Sequence, residues 1–325
     1  MASRIARFLR SLVPPTAIQP SASSAPASHR FLATAAATSD APAKGDDASA
    51  AAEDKDDKIF LKSPESASTR DKASVTMPMS FMTGSIVGKR FYKEVTTRMA
   101  EDGNGWTVML DYRTLKTPSK RPLKLRSLAL AKAIAAEWEY QEKDGIRPFT
   151  MPLMKLTCTA LERVPLTRAT IIENLMNKFH LDLVFCRSPG DNDVTIRILK
   201  KQEENLDPIL DWLQSKFGFK PAVYSSLFGG KQDEGLAQAI KDALKGTNDF
   251  ELAAIDALAA NAHSIVIPLA YFFGRIGIEE AIKLIRLEED QQIDRWGLVE
   301  GGHDVDIADL KVQISSAAVL LGLSK

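Results

Sequence analysis

The chain has 325 residues, 45% of them hydrophobic, with 42 basic and 42 acidic side chains and only two cysteines. This length and apolar content suffice for a sizeable core and for two domains. The even charge balance gives no sign of the clustered basic surface that nucleic-acid binding requires. Cys158 and Cys186 fit a reducing compartment, exclude a disulfide-stapled scaffold and are too few for a cysteine-based metal site.

The first residues, MASRIARFLRSLVPPTAIQPSASSAPASHRFLATAAATSD, carry Arg4, Arg7, Arg10 and Arg30 and no acidic residue before Asp40. On a helix, Ile5, Phe8, Leu9 and Leu12 share one face and the first three arginines the other. This is the composition of an organelle transit peptide, and a secretory signal would need a longer unbroken apolar run. The expected address is the mitochondrial matrix, with the plastid as alternative, and removal is expected near Arg30 to Leu32. Without those four arginines the chain holds 38 basic against 42 acidic residues, a balance of −4. Residues 32–88 then read as a disordered linker, because stretches such as DDASAAAEDKDDK cannot bury enough surface to offset the entropy of ordering.

Order is expected to begin near Lys89. RFYKEVTTR and GWTVMLDYR are rich in β-branched and aromatic residues, and the DGNG between them is a turn signal, so they predict a β-hairpin. LKTP and PLKL continue in short extended pieces whose prolines, Pro118 and Pro122, belong at edges or turns. SLALAKAIAAEWEYQEK then starts a helix with Ser127 as its N-cap and Leu128, Ala131, Ala135 and Trp138 on its apolar face. These pieces define a small antiparallel β-rich domain over 89–150.

From 151 to 325 the periodicity is helical, which gives an α+β chain with a larger α-helical bundle as its second domain. The series comprises MPLMKLTCTALERV, TRATIIENLMNKF, and a long segment from about Asn192 to Phe217 interrupted by the Asp207-Pro208 step. LAQAIKDALKG, an apolar helix around Ser264, a helix from Ile278 to Trp296 and a final VDIADLKVQISSAAVLLGL follow. The apolar run ELAAIDALAANAHSIVIPLAYFF carries Glu251, Asp256, Asn261, His263 and Pro268, so it predicts a buried helix rather than a membrane span.

Chemical motifs are sparse. No GxGxxG follows a strand, VGKR and FGGKQ lack the spacing of a phosphate-cradling loop, and there is no G-x-S-x-G elbow or HExxH pair. No cofactor and no metal site is therefore expected. His263, in an apolar run, predicts a satisfied core histidine. His303, beside Asp304 and Asp306, is the candidate for acid-base chemistry in a small-molecule enzyme, although Asp304 also suits a helix cap and a third catalytic partner is missing.

The segment RLEEDQQIDRWGLVEGGHD, Arg286 to Asp304, holds a puzzle. At about 100° per residue, Ile278, Ala281, Ile282, Ile285, Ile293 and Trp296 share one face of the helix, with Glu289 at its centre and Glu288 and Asp290 pointing away. A buried unpaired carboxylate costs several kcal/mol, so Glu289 implies a cleft, a partly covered face or a basic partner such as Arg286 or Arg295.

The blocks RFYKEV, LDYRTLKTP, AAEWEYQ, MPLMKL, LDPILDW and RLEEDQQIDRWGLVEGGHDVD resemble, in order from about Lys89 to Leu323, the ATP synthase assembly chaperone family that binds the free alpha subunit of the catalytic F-one sector. The resemblance implies a β-rich domain followed by a helical one, in a matrix protein without enzymatic activity; no membrane insertion and a free monomer are expected as well. Its role would be to keep the alpha subunit from aggregating and to release it to beta. It also implies a functional Glu-rich helix before the RWG element, which makes Glu288, Glu289, Glu300 and Asp304 candidate partner contacts. Trp296 joins them as a candidate, although Trp138, Trp212 and Trp296 all sit at spacings where an aromatic ordinarily packs in a core.

Overall fold

The computed structural model describes residues 74–225 and 230–324. The expected transit peptide and most of the expected linker therefore lie outside the described residues. Four short strands build one sheet: β1 (Ser74–Thr76), β2 (Val95–Met99), β3 (Trp106–Leu110) and β4 (Arg113–Lys116), in the order β1-β4-β3-β2. The expected hairpin is β2 and β3, in antiparallel register from Val95 opposite Leu110 to Met99 opposite Trp106. Gly105 in its turn has φ +106, and a Cβ there would come within 2.7 Å of the Leu125 carbonyl oxygen, so only glycine fits.

Two expectations are corrected here. Ser74–Thr76 lie inside the stretch read as linker, yet they form β1, because Val75 reaches the core at 2% exposure and the strand finds hydrogen-bonding partners along β4. That pairing is parallel, so the sheet is mixed rather than antiparallel. A strand this short gives no period to read in sequence.

A single helical turn, α1 (Ser80–Thr83), follows β1, and α2 (Leu128–Glu139) lies against β2 and β3. Ser127 caps α2 as its sequence predicts, its hydroxyl accepting from the Leu130 amide. Trp138 is buried on this helix and stacks on Phe81 with centroids 6.0 Å apart, while the Tyr92 hydroxyl donates to the Trp138 carbonyl at 2.7 Å. Burial of a side chain this large stabilises the fold by about 3 kcal/mol.

The sheet region is bolted to the helices by Glu137. Its two carboxylate oxygens accept from the Leu153 and Met154 amides, both at 2.8 Å, and so cap α3 (Pro152–Cys158), which has no side-chain cap of its own. The chain continues from α3 through a π-helical turn at Thr159–Arg163 into α4 (Val164–Phe179). α5 (Asp193–Phe217) begins with a capping box on Asn192 and Thr195. Contrary to expectation, α5 is not interrupted at Pro208: the proline sits on the exposed side, where water can satisfy the carbonyl it frees, while Leu206, Ile209, Leu210 and Leu213 bury the other side.

α6 (Glu234–Lys245), α7 (Asp249–Ala262), α8 (Val266–Phe272), α9 (Ile278–Ile285), α10 (Leu287–Trp296) and α11 (His303–Leu323) complete the chain. The apolar run around Ser264 is two helices, since His263 takes a left-handed φ of 51 and ends α7. That position is exposed, which corrects its reading as a core histidine. Asp182, fully buried, accepts from the Val184 amide at 3.0 Å and the Val266 amide at 3.1 Å, and so starts α8. One core cluster gathers α4 to α9. A second joins the sheet and α2 to Ala254 and Leu258 of α7 and to Ile314, Ala317 and Leu320 of α11. Among the described residues no helix is long and apolar enough to cross a membrane.

Candidate functional site

The segment that sequence periodicity treats as one helix is broken at Arg286, where φ −93 and ψ 2 separate α9 from α10. The break resets the helical phase. Glu289 therefore leaves the apolar face: its side chain is 57% exposed and its Oε2 accepts from Arg286 Nη1 at 3.2 Å. Asp290 pairs with the other guanidinium nitrogen. Arg286 itself is only 6% exposed, so its charge needs these two carboxylates at the mouth of the site.

The carboxylate that reaches the helical core is Glu288, although the residue is exposed. Its Oε1 accepts from Gln202 Nε2 of α5 at 2.7 Å, and Gln202 Oε1 accepts in turn from the Ser188 amide at 2.7 Å. Gln202 is 2% exposed. Glu288 is itself an exposed residue, and it is the end of its carboxylate that is held against the buried Gln202 amide. Desolvation there pushes its carboxyl above the usual glutamate range, helped by the Glu289 charge and opposed by the Gln202 hydrogen bond and Arg187. Arg187, also buried, pairs with Asp207 of α5 at 2.7 Å. The Cys186 thiol is pushed up by burial first and by the Glu288 charge second.

The expectation that Glu289 sits on the apolar face is thus corrected: both glutamates are exposed, and Glu288 rather than Glu289 bonds to a buried side chain. Gln202 carries no motif, but it interrupts the apolar stripe of Ile198, Leu206, Ile209 and Leu213 on α5, and a buried amide on such a stripe signals a polar partner.

At the far end of α10, Trp296 is 53% exposed, with the Arg295 guanidinium 5.4 Å from its ring centroid. The packing expected of it fails, whereas Trp138 is buried and Trp212 lies against Phe217 and Phe273. Leu298 and Val299 follow at 50% and 60% exposure, and Glu300 and Asp304 are exposed beside them. Gly297, at φ 83 and ψ 163, turns the chain out of α10 in a conformation that disfavours a side chain. Gly302, not Asp304, is the N-cap of α11, and Asp304 and Asp306 lie in its first turn, where they complement the helix dipole.

His303 Nδ1 accepts from the Val299 amide at 3.1 Å and so fixes the connection between α10 and α11. Among the described residues no hydrogen bond or ion pair joins His303 to Asp304 or Asp306, the carboxylates beside it in sequence. A cleft of about 440 Å³ lies elsewhere, lined by Lys124, Arg126, Arg168, Lys245 and Asp249 among others. Its Arg168 is committed to Asp249 at 3.0 Å and to the carbonyls that end α6. Among the described residues no group of three His, Cys, Asp or Glu side chains could hold a metal ion.

Residues 89–214 match the family model described as ATP12 chaperone protein. The chain is 26% identical over 241 residues to "Protein atp12, mitochondrial" of Schizosaccharomyces pombe, an alignment that spans 71% of this chain and 81% of that protein. It is 21% identical over 275 residues to "Protein ATP12, mitochondrial" of Saccharomyces cerevisiae, spanning 72% and 84%. Its fold is similar to the crystal structure of Atp12 from Paracoccus denitrificans, with a TM-score of 0.66 and 28% identity over 73% of this chain and 99% of that one.

Proposed function

Because the chain belongs to the ATP12 chaperone family and is a mitochondrial chaperone of ATP synthase assembly, we propose that its client is the free alpha subunit of the catalytic F-one sector. In the matrix it holds this subunit against aggregation and releases it to beta, and it performs no chemistry on it. An alpha subunit awaiting assembly exposes an obligate, apolar interface, on the order of 2,000 Å² or more, and such a patch aggregates unless covered.

The observation that carries this reading is the stretch from Glu288 to Asp304, where Trp296, Leu298 and Val299 stand in solvent among carboxylates instead of packing inward. Apolar side chains rimmed by charge suit a grip that must later be released. Glu288, Glu289, Glu300, Asp304 and Trp296 are its proposed contacts, and the chaperone is a monomer when free.

The test is binding and protection together. The mature chain is expected to retain isolated alpha subunit in a pull-down and to suppress its light scattering without hydrolysing ATP. A chain that neither retains alpha nor delays its aggregation would end the proposal.

A further inference from the structure

α11 is apolar on both sides. Its inner side, with Ile314, Ala317, Leu320 and Leu321, is buried against α7 and α3. Its outer side carries Val305, Val312 and Val319 at 59%, 48% and 40% exposure. These valines recur every seventh residue, and Ala308 and Ser315 fall between them, so the outer stripe repeats in heptads with small or β-branched side chains and no charge. It runs about 21 Å, roughly four turns. Leu298 and Val299 lie close to the start of the stripe, because the Val299 carbonyl accepts from the Gly302 and His303 amides in the turn that leads into α11.

An exposed apolar stripe on the outer side of a helix whose inner side is already packed suits a partner. A spacing of 3.5 residues matches another helix, and small side chains let two helix axes approach to about 8 Å. Charge decides what kind of helix. From Arg286 to Lys311 there are eight carboxylates and three basic side chains, a balance of −5. A second copy of this chain would bring the same excess against itself, so self-association is disfavoured. The complementary occupant has an apolar stripe flanked by lysine or arginine.

We infer that the outer face of α11, with Leu298 and Val299, docks one basic amphipathic helix of the client. This rests on the client reading above and adds what element the chaperone grips. The proposed acidic contacts at Glu300 and Asp304 lie at the same end of α11 and would meet its basic flank.

The experiment uses the mature chain and two labelled 18-residue helical peptides that share a leucine and alanine stripe, one flanked by lysines and the other by glutamates. Fluorescence anisotropy is expected to show the lysine peptide binding at least about tenfold more tightly than the glutamate peptide, with the preference falling in high salt. Val312→Lys is expected to weaken it by a similar factor, and the milder pair Val312→Ser with Val319→Ser by several-fold, with circular dichroism melts unchanged. The milder pair carries the test if the lysine variant unfolds. Equal binding of both peptides, or no loss in the variants, overturns the inference. So does a wild-type dimer that Val312→Lys dissociates, since the face would then serve a second copy. With isolated alpha subunit, normal capture by Val312→Lys overturns the inference and leaves the client reading standing. Failure of the wild-type chain to capture alpha overturns the client reading instead, and the helix then has no client to belong to.

Discussion

Gln202 of α5 donates to Glu288 of α10 at 2.7 Å across 86 residues of sequence, and its other amide atom accepts from the Ser188 backbone. One buried side chain thus ties the Glu-rich helix to the helical core. Gln202→Ala removes both bonds and leaves the Ser188 amide without its acceptor. A loss of about 2–3 kcal/mol is expected, read as a lower midpoint in urea.

Glu288→Gln should behave differently from its neighbours. Folding raises the Glu288 carboxyl above its ordinary value, chiefly by desolvation, so the folded state favours the protonated form. That contribution is present below the unfolded glutamate pKa and is lost as pH rises through the folded one. Wild type is therefore expected to lose stability relative to Glu288→Gln as pH climbs past the usual carboxylate range. Parallel stability curves for the two proteins from pH 4 to 8 would contradict this placement of the side chain.

Glu289 and Arg286 form a pair of unequal burial. Removing the exposed carboxylate leaves Arg286 with Asp290, so Glu289→Ala should change stability by less than about 1 kcal/mol. Arg286→Ala removes a guanidinium that is 8% exposed and should cost about 2–4 kcal/mol. For the proposed grip, Glu289→Lys and Trp296→Ala are expected to abolish or weaken capture of the alpha subunit while leaving the thermal melt nearly intact. Loss of the fold in Glu289→Lys would make its role structural.

Glu137 gives a second pH signature, far from this surface. Burial pushes its carboxyl up to about 7, against the two backbone amides that favour its charged form. By the same sign, its contribution is intact below the unfolded value near 4.5 and is lost as pH rises through about 7. The chain should lose stability between pH 5 and 8, and Glu137→Gln should flatten that part of the profile in chemical denaturation.

Asp182 has backbone amide partners at Val184 and Val266, with no solvent to replace it. Asp182→Ala is expected to cost more than about 3 kcal/mol, because buried amides lose their acceptor. A melt within a degree or two of wild type would show that the start of α8 is held some other way.

Local pattern made much of this protein legible. The β2–β3 hairpin follows from alternating β-branched residues around DGNG, the α2 cap from Ser127, and the helical remainder from period and composition. The linker reading failed at Ser74 because three residues of strand show no alternation and are held by pairing with β4. Pro208 misled because its effect depends on which side of α5 faces water.

At RLEEDQQIDRWGLVEGGHD, sequence alone determined that a Glu-rich helix is present and that Arg286 is within reach of Glu289. Only the tertiary structure decided that Glu289 leaves the apolar face and that Glu288 bonds to the core. No proline or glycine marks the break at Arg286, and burial of its guanidinium and docking of α10 on α5 fix the phase of the helix beyond it. Helical periodicity carries orientation only as far as the helix is continuous. Past a break held by distant partners such as Gln202, the packing sets which carboxylate meets the core.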